Sequence, residues 1–233
     1  MSCFQTDYQQ LQNKVAACLQ QAGRPVDAVR ILAVSKTFPA SAIAEAYACG
    51  VRMFGENKIQ ELAEKAAILP QDIQWHFIGH LQSNKAAKAV ELASWIHSVD
   101  SLKLLNKLDR LAGEMGKKPV ILLEVNSGEA AKSGIDYGQL RELAAAAAEA
   151  ENLQWRGLMT MAPLCDDPAV WRNAFAKLRT SRDELAEELN IQLPELSMGM
   201  SGDFAEAVAE GSTLIRIGSS LFGKRNYQTA GIC

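Results

Sequence analysis

The chain has no C-x-x-C pair, and its five cysteines (Cys3, Cys18, Cys49, Cys165, Cys233) are odd in number and widely scattered. That argues against a disulfide framework and a zinc site, and fits reduced thiols in a cytoplasm. The first residues, Met-Ser-Cys-Phe-Gln-Thr-Asp, contain no basic start followed by an apolar stretch, so no signal peptide is expected. No apolar run approaches the ~20 residues that a membrane span requires. A dense basic run is also missing: 24 Lys+Arg stand against 27 Asp+Glu, a net charge of −3. A general nucleic-acid binder is therefore not expected, although one local basic pocket is compatible with this balance. No low-complexity linker divides the chain, so residues 1–233 are read as a single domain.

What is present is an ordinary globular composition, 48% apolar and 22% charged. A domain of this size buries about 70–75% of its unfolded surface, so its core needs no metal or disulfide. The first segment is helical, with Tyr8, Leu11, Val15, Leu19 and Ala22 on one face, ended by Gly23 and Pro25. Eight strand-like runs follow, at 31–36, 52–55, 75–79, 95–99, 120–126, 154–160, 195–198 and 214–218. Helical patterns such as Leu102/Leu105/Leu108/Leu111 separate them. Strands alternating with helices pair in parallel, and eight units are the number that closes a (β/α)8 TIM barrel. The predicted fold is that α/β barrel with an additional N-terminal helix over residues 1–25. An open doubly wound sheet is the alternative, but no G-x-G-x-x-G follows the first strand.

Two of these strands carry a cation where the pattern wants an apolar residue. Lys36 shares a face with Leu32 and Val34 at the end of the first strand. Arg216 lies between Ile215 and Ile217, which would face the helices, so its own side chain is expected inside. A buried cation requires a partner or a ligand. One reading is a structural ion pair with Glu124; the other is a site, since barrels do their chemistry at this end. Barrels also bind phosphate in the loops after strands seven and eight. Here those loops contain Ser197-Met198-Gly199-Met200-Ser201-Gly202-Asp203 and Gly218-Ser219-Ser220. Ser201 and Ser219 offer hydroxyls, the glycines let backbone N–H groups approach an anion, and Ser201 is placed to open the next helix. Asp203 would repel a phosphate unless it points away. A lysine with a phosphate cradle suggests a Schiff base with a phosphorylated aldehyde or ketone.

Weaker signals surround these. His80 is placed to line the site, whereas His76 and His97 read as structural. Asn57 either bonds a ring substituent or caps the helix beginning near Lys58. Ser83-Asn84-Lys85 reads as a helix start, and the loop 127–134 is long enough to cover a site.

The stretches Ala33-Val34-Ser35-Lys36-Thr37, Phe54-Gly55-Glu56-Asn57 and Trp75-His76-Phe77-Ile78-Gly79-His80-Leu81-Gln82-Ser83-Asn84-Lys85 together resemble the YggS/PROSC family, the pyridoxal phosphate (PLP) homeostasis proteins. So do Lys132-Ser133-Gly134, Gly157-Leu158-Met159, Ser197-Met198-Gly199-Met200-Ser201 and the run from Arg216 to Gly223. The likeness extends from about Ile31 to Tyr227, in order. It implies a barrel like the N-terminal domain of alanine racemase, with PLP held as a Schiff base on Lys36. It further implies that Arg216 faces the pyridine nitrogen, that Ser201, Gly202, Gly218 and Ser219 cradle the phosphate, and that Asn57 and Met198 line the cofactor. The family is associated with vitamin B6 and amino-acid homeostasis, without an established reaction; free amino acids and apo PLP enzymes are the expected partners of a cytoplasmic monomer. An arginine at the pyridine nitrogen disfavours protonation there and weakens the ring as an electron sink, which suits a non-catalytic carrier. A PLP-dependent racemase or lyase, an aldolase-type enzyme without PLP and a purely structural barrel are the competing readings.

Overall fold

The structure, a computed structural model, describes residues 3–128 and 133–223. Residues 129–132, the middle half of the loop 127–134 and including Lys132, and the chain from residue 224 onward, including Tyr227 and Cys233, lie outside the described residues. Eight strands follow one another around a closed parallel barrel: β1 (Arg30–Val34), β2 (Met53–Glu56), β3 (Gln74–Phe77), β4 (Trp95–Val99), β5 (Val120–Glu124), β6 (Gln154–Met159), β7 (Glu195–Ser197) and β8 (Leu214–Ile217). The (β/α)8 expectation is met, and the open doubly wound sheet is excluded because β1 pairs with β8 from Arg30↔Leu214 to Ala33↔Ile217. The helices are α1 (Cys3–Gln21), α2 (Ala40–Ala48), α3 (Ile59–Ala66), α4 (Ala86–Leu92), α5 (Leu102–Glu114), α6 (Tyr137–Ala148), α7 (Pro168–Glu188), α8 (Phe204–Ala209) and α9 (Ser219–Phe222).

Local sequence explains the boundaries. Ser101 accepts a hydrogen bond from the Leu104 N–H at the start of α5, whose Leu104, Leu105, Leu108 and Leu111 are buried. Asp167 caps α7 through the Ala169 N–H, with Pro168 in the first turn, where its missing N–H costs nothing. The four residues of α9 are too few to cover the outside of β8. The N-terminal α1 packs against α2, α8 and α9 and completes the helical ring there. Phe4 and Phe38 both meet Phe222 at ring-centroid distances of 5.3 and 5.2 Å, and Arg24 donates to the Val208 carbonyl at 2.7 Å.

Alternation along each strand divides the buried residues into two sets. Phe54, Ile96, Ile121, Ile215 and Ile217 enter the apolar layer beneath the helices. The barrel interior is instead mixed: Leu32, Leu122 and Leu214 share it with Arg30, His76, His97, Glu124, Glu195, Ser197 and Arg216. At the bottom Arg30 pairs with Glu195 at 2.6 Å and lies 5.4 Å over the Trp95 ring.

Two glycines of the sequence motifs are required by close backbone approach. A Cβ on Gly79 would lie 2.2 Å from the Asn57 carbonyl oxygen, which fixes the end of β3 against the loop after β2. Gly157 has φ 151° and follows a register shift between β5 and β6; its Cβ would lie 1.9 Å from the Glu195 carbonyl oxygen. Because that obstruction is backbone, Gly157→Ala is expected to destabilise the fold by about 2–4 kcal/mol. Urea unfolding of the two proteins, followed by tryptophan fluorescence, measures the difference.

Candidate functional site

At the C-terminal end of the barrel a cavity of about 240 Å³ is lined by Lys36, Ser201, Gly202, Arg216, Gly218 and Ser219, together with Val34, Ile78 and three methionines. Six of the eight sequence-predicted site residues thus meet in one place, although they come from the ends of three strands separated by up to 183 positions. A larger groove of about 540 Å³ runs along the outer surface between α6 and α7. Its charges are already engaged: Lys177 lies 3.8 Å over the Tyr137 ring and Arg141 pairs with Glu188 at 3.2 Å.

Lys36 differs from expectation in one respect. β1 ends at Val34, so Lys36 sits in the following turn and is half-buried instead of occupying the strand interior. The Phe38 N–H donates to the Ser35 carbonyl at 3.1 Å, and Thr37 takes φ 70°, a strained conformation for a β-branched residue. A buried scaffold holds that turn. The Thr37 N–H donates to Glu61 Oε2 at 2.8 Å, and Ser35 Oγ donates to Glu56 Oε1 at 2.6 Å. Lys65 Nζ joins Glu56 Oε1 at 2.7 Å to the Ser35 carbonyl at 3.0 Å. Burial pushes the Glu56 carboxyl above its ordinary range, against the lowering effects of Lys65 and Ser35. For the less buried Glu61, desolvation is outweighed by the Thr37 N–H and the Lys65 and Lys58 ammonium groups, which hold it below.

Arg216 points into the barrel, as the alternation of β8 requires, and is 5% exposed. The structural ion pair with Glu124 is not formed. The guanidinium donates to the Ser197 carbonyl at 2.6 Å, to Ser197 Oγ at 2.8 Å and to the Thr160 carbonyl at 2.8 Å. Burial draws its pKa down to about 10, with Asp203 and Glu124 opposing, so it stays a cation at neutral pH. Beneath it, His97 Nδ1 lies 3.0 Å from Ser197 Oγ, and His97 Nε2 lies 2.9 Å from His76 Nδ1. Burial first, then the charges around them, push His76 down to about 3 and His97 well below the ordinary imidazole range.

Across the cavity, Ser201 and Ser219 bring their hydroxyls to 3.3 Å from each other. Gly218 is held close to β1, where a Cβ would lie 3.3 Å from the Val34 carbonyl oxygen. Asp203 is buried, and its carboxylate accepts from the Met200 N–H within its own loop. Ser201 does not open α8: the residue before that helix is Asp203, because the loop makes a further turn first.

The remaining expectations divide. Asn57 lies in a different pocket, of about 180 Å³, with His80 and Lys85, and its Oδ1 is buried without a partner. Neither Asn57 nor any other side chain caps α3. His80 therefore does not line the Lys36 cavity; its Nδ1 lies 3.4 Å from Asp100 Oδ2. Met198 is not brought to the cavity either. With Ser197 inside, alternation turns Met198 into the apolar layer under the helices. Ser83–Lys85 forms a single 3₁₀ turn leading into α4, as its sequence suggests. Sequence reasoning missed the roles of Glu56, Lys65, Thr160 and Ser197. A Ser or Glu at alternate strand positions signals an inward polar residue, but its partner comes from another strand.

Glu124 Oε2 has no partner, and burial, with Asp100 nearby and Arg216 opposing, raises its carboxyl to about 7. The native state then holds a proton between about pH 4.5 and 7 that the unfolded chain has released, so this group's contribution to stability falls as pH rises through that window. Glu124→Gln is expected to remove a loss on the order of 2–3 kcal/mol between pH 5 and 8. Denaturant unfolding of cofactor-free wild type and variant at both pH values measures it; an unchanged pH dependence would contradict the burial argument.

The family model described as alanine racemase, N-terminal domain, matches residues 6–226. A pyridoxal phosphate homeostasis protein of Pseudomonas aeruginosa is 43% identical over 97% of this chain and 98% of its own length. PipY of Synechococcus elongatus, solved with PLP bound, is 46% identical, with a TM-score of 0.80 over 90% of this chain and 100% of that one. An alanine racemase of Clostridium difficile shares the fold alone: 15% identity and a TM-score of 0.69, over 93% of this chain but 57% of the racemase. By these matches the chain belongs to the alanine racemase N-terminal domain family, and within it to the pyridoxal phosphate homeostasis proteins.

Proposed function

We propose that the Lys36 cavity binds PLP and that the protein acts in intracellular PLP and amino-acid homeostasis as a non-catalytic carrier. The observation that carries this is convergence: an amine, a guanidinium fixed by protein oxygens and a pair of facing hydroxyls share one small cavity. About 240 Å³ is below the range usual for drug-sized ligands and suits one substituted ring. Ser201, Ser219 and the backbone N–H groups at Gly202 and Gly218 would take the phosphate. Lys36 Nζ would bond the aldehyde carbon with loss of water, and Arg216 would face the ring nitrogen. Asn57, whose buried Oδ1 has no partner, and Met198, in the apolar layer under the helices, do not line this cavity, and neither is assigned a contact with PLP. When bound, PLP supplies an aldehyde that condenses with amines and a ring that withdraws electrons from the adduct.

The lining also supports a carrier over a racemase or lyase. Apart from Lys36 and Arg216, the cavity wall consists of serines, glycines, Val34, Ile78, Met159, Met161 and Met200, none of which moves a proton at neutral pH. A racemase needs a second acid–base group on the opposite face of its substrate. Arg216 stays charged and donates only, so it cannot leave a proton on the ring nitrogen. The expected setting is one barrel domain, acting as a monomer in a reducing cytoplasm. Cys18 and Cys165 form no disulfide, and among the described residues no helix is long and apolar enough to cross a membrane.

Incubation with PLP followed by borohydride reduction and peptide mass spectrometry is expected to place a pyridoxyl group on Lys36. Lys36→Ala is expected to lose the visible imine band entirely. Removing both hydroxyls, Ser201→Ala with Ser219→Ala, should weaken PLP binding about 10- to 100-fold, since each donates to an anion. A pyridoxyl label on another lysine would refute the site, and turnover-rate exchange of the amino-acid α-proton for deuterium would refute the carrier role.

A further inference from the structure

The barrel interior contains a polar chain that no part of the site chemistry above uses: His76, His97 and Ser197, all fully buried, ending on Arg216. Its direction follows from one fact. A guanidinium only donates, so Ser197 Oγ must accept from Arg216 at 2.8 Å. Ser197 Oγ has no other hydrogen-bond partner among the described residues, so its own proton goes to His97 Nδ1, 3.0 Å away, which then accepts. His97 therefore carries its proton on Nε2 and gives it to His76 Nδ1 at 2.9 Å. His76 in turn carries its proton on Nε2, which has no partner. The reversed chain would leave the same His76 nitrogen unpartnered and strand the Ser197 hydroxyl proton as well, so it loses by one buried hydrogen bond. A protonated His97 would donate from both nitrogens, strand the same hydroxyl proton and place a second cation against Arg216.

We propose that His97 and Ser197 are positioning residues: with His76 they form a tautomer-locked chain that fixes the Arg216 guanidinium from beneath. The consequence lies in the donors left over. Of five N–H groups, three go to the Ser197 carbonyl, Ser197 Oγ and the Thr160 carbonyl, and both Nη1 protons are among them. Nε–H and one Nη2–H remain for a ligand in the cavity that Arg216 lines. Holding the other three fixes the direction of these two. The part of the inference that concerns a ring nitrogen rests on the PLP reading; the part that concerns the guanidinium does not.

The test uses cofactor-free and PLP-loaded protein. In the cofactor-free chain with ¹⁵N-labelled histidine, long-range ¹H–¹⁵N spectra at neutral pH are expected to show His76 and His97 as Nε2–H tautomers. An Nδ1–H or doubly protonated His97 would overturn the proposal. In the same protein, Arg216 is expected to show separate, slowly exchanging Nη proton signals. These should persist in His97→Asn, whose Oδ1 replaces Nδ1 as the acceptor, and collapse in His97→Leu and Ser197→Ala. Persistence in all three variants would also overturn it. After loading, His97→Leu is expected to release PLP at least about tenfold faster than wild type, with retention restored in His97→Asn. Equal release from wild type and His97→Leu would refute positioning while leaving the Lys36 site intact. A wild-type chain that takes no PLP on Lys36 would refute the binding reading, while the tautomer and Nη signals would still decide the chain.

Discussion

A permanent cation inside a closed barrel is the constraint around which the site is arranged. Arg216 cannot shed its charge at neutral pH, and taking it out of water costs several kcal/mol unless other dipoles replace the solvent. The protein supplies those dipoles from its own backbone. β6 and β7 each deliver a carbonyl oxygen at the barrel mouth, and the Ser197 hydroxyl adds a third acceptor. No carboxylate among the described residues neutralises the charge directly. Asp203 and Glu124 act on it only through space. The guanidinium is therefore solvated without being silenced, and its field remains available to an anionic or electron-rich ligand.

Lys36 is governed by a different device. Its position depends on a turn that its own sequence does not favour, because Thr37 occupies a left-handed conformation better suited to glycine. The strain is balanced by α3, where Glu61 holds the Thr37 N–H while Lys65 ties Glu56 to Ser35. The amine and the guanidinium stand on separate supports, one on the helix side of β1 and β2 and one within the barrel.

Much of this was legible in the chain. Alternation in β8 put Ile215 and Ile217 outside and Arg216 inside, and the same rule applied to β7 would have turned Met198 away from the cavity. The strand count gave the barrel, and two small-residue loops gave Ser201, Gly202, Gly218 and Ser219. What stayed hidden were the pairings across strands. That Ser197 would meet both Arg216 and His97, and that Lys65 would reach Glu56, depends on three-dimensional register that a single sequence does not encode locally. The end of β1 was also overestimated, since Ser35 continues its buried pattern after the regular strand has stopped.

The ring of helices is completed by the helix that precedes β1. During synthesis α1 emerges with an apolar stripe containing Leu11, Val15 and Leu19, yet the surfaces that cover it come from α8 and α9, nearly two hundred residues later. Until the ribosome has delivered those two helices, the stripe lacks the helical surfaces that cover most of it. The docking of α1 must therefore wait for α8 and α9, and the nascent helix is an exposed greasy surface for the whole interval.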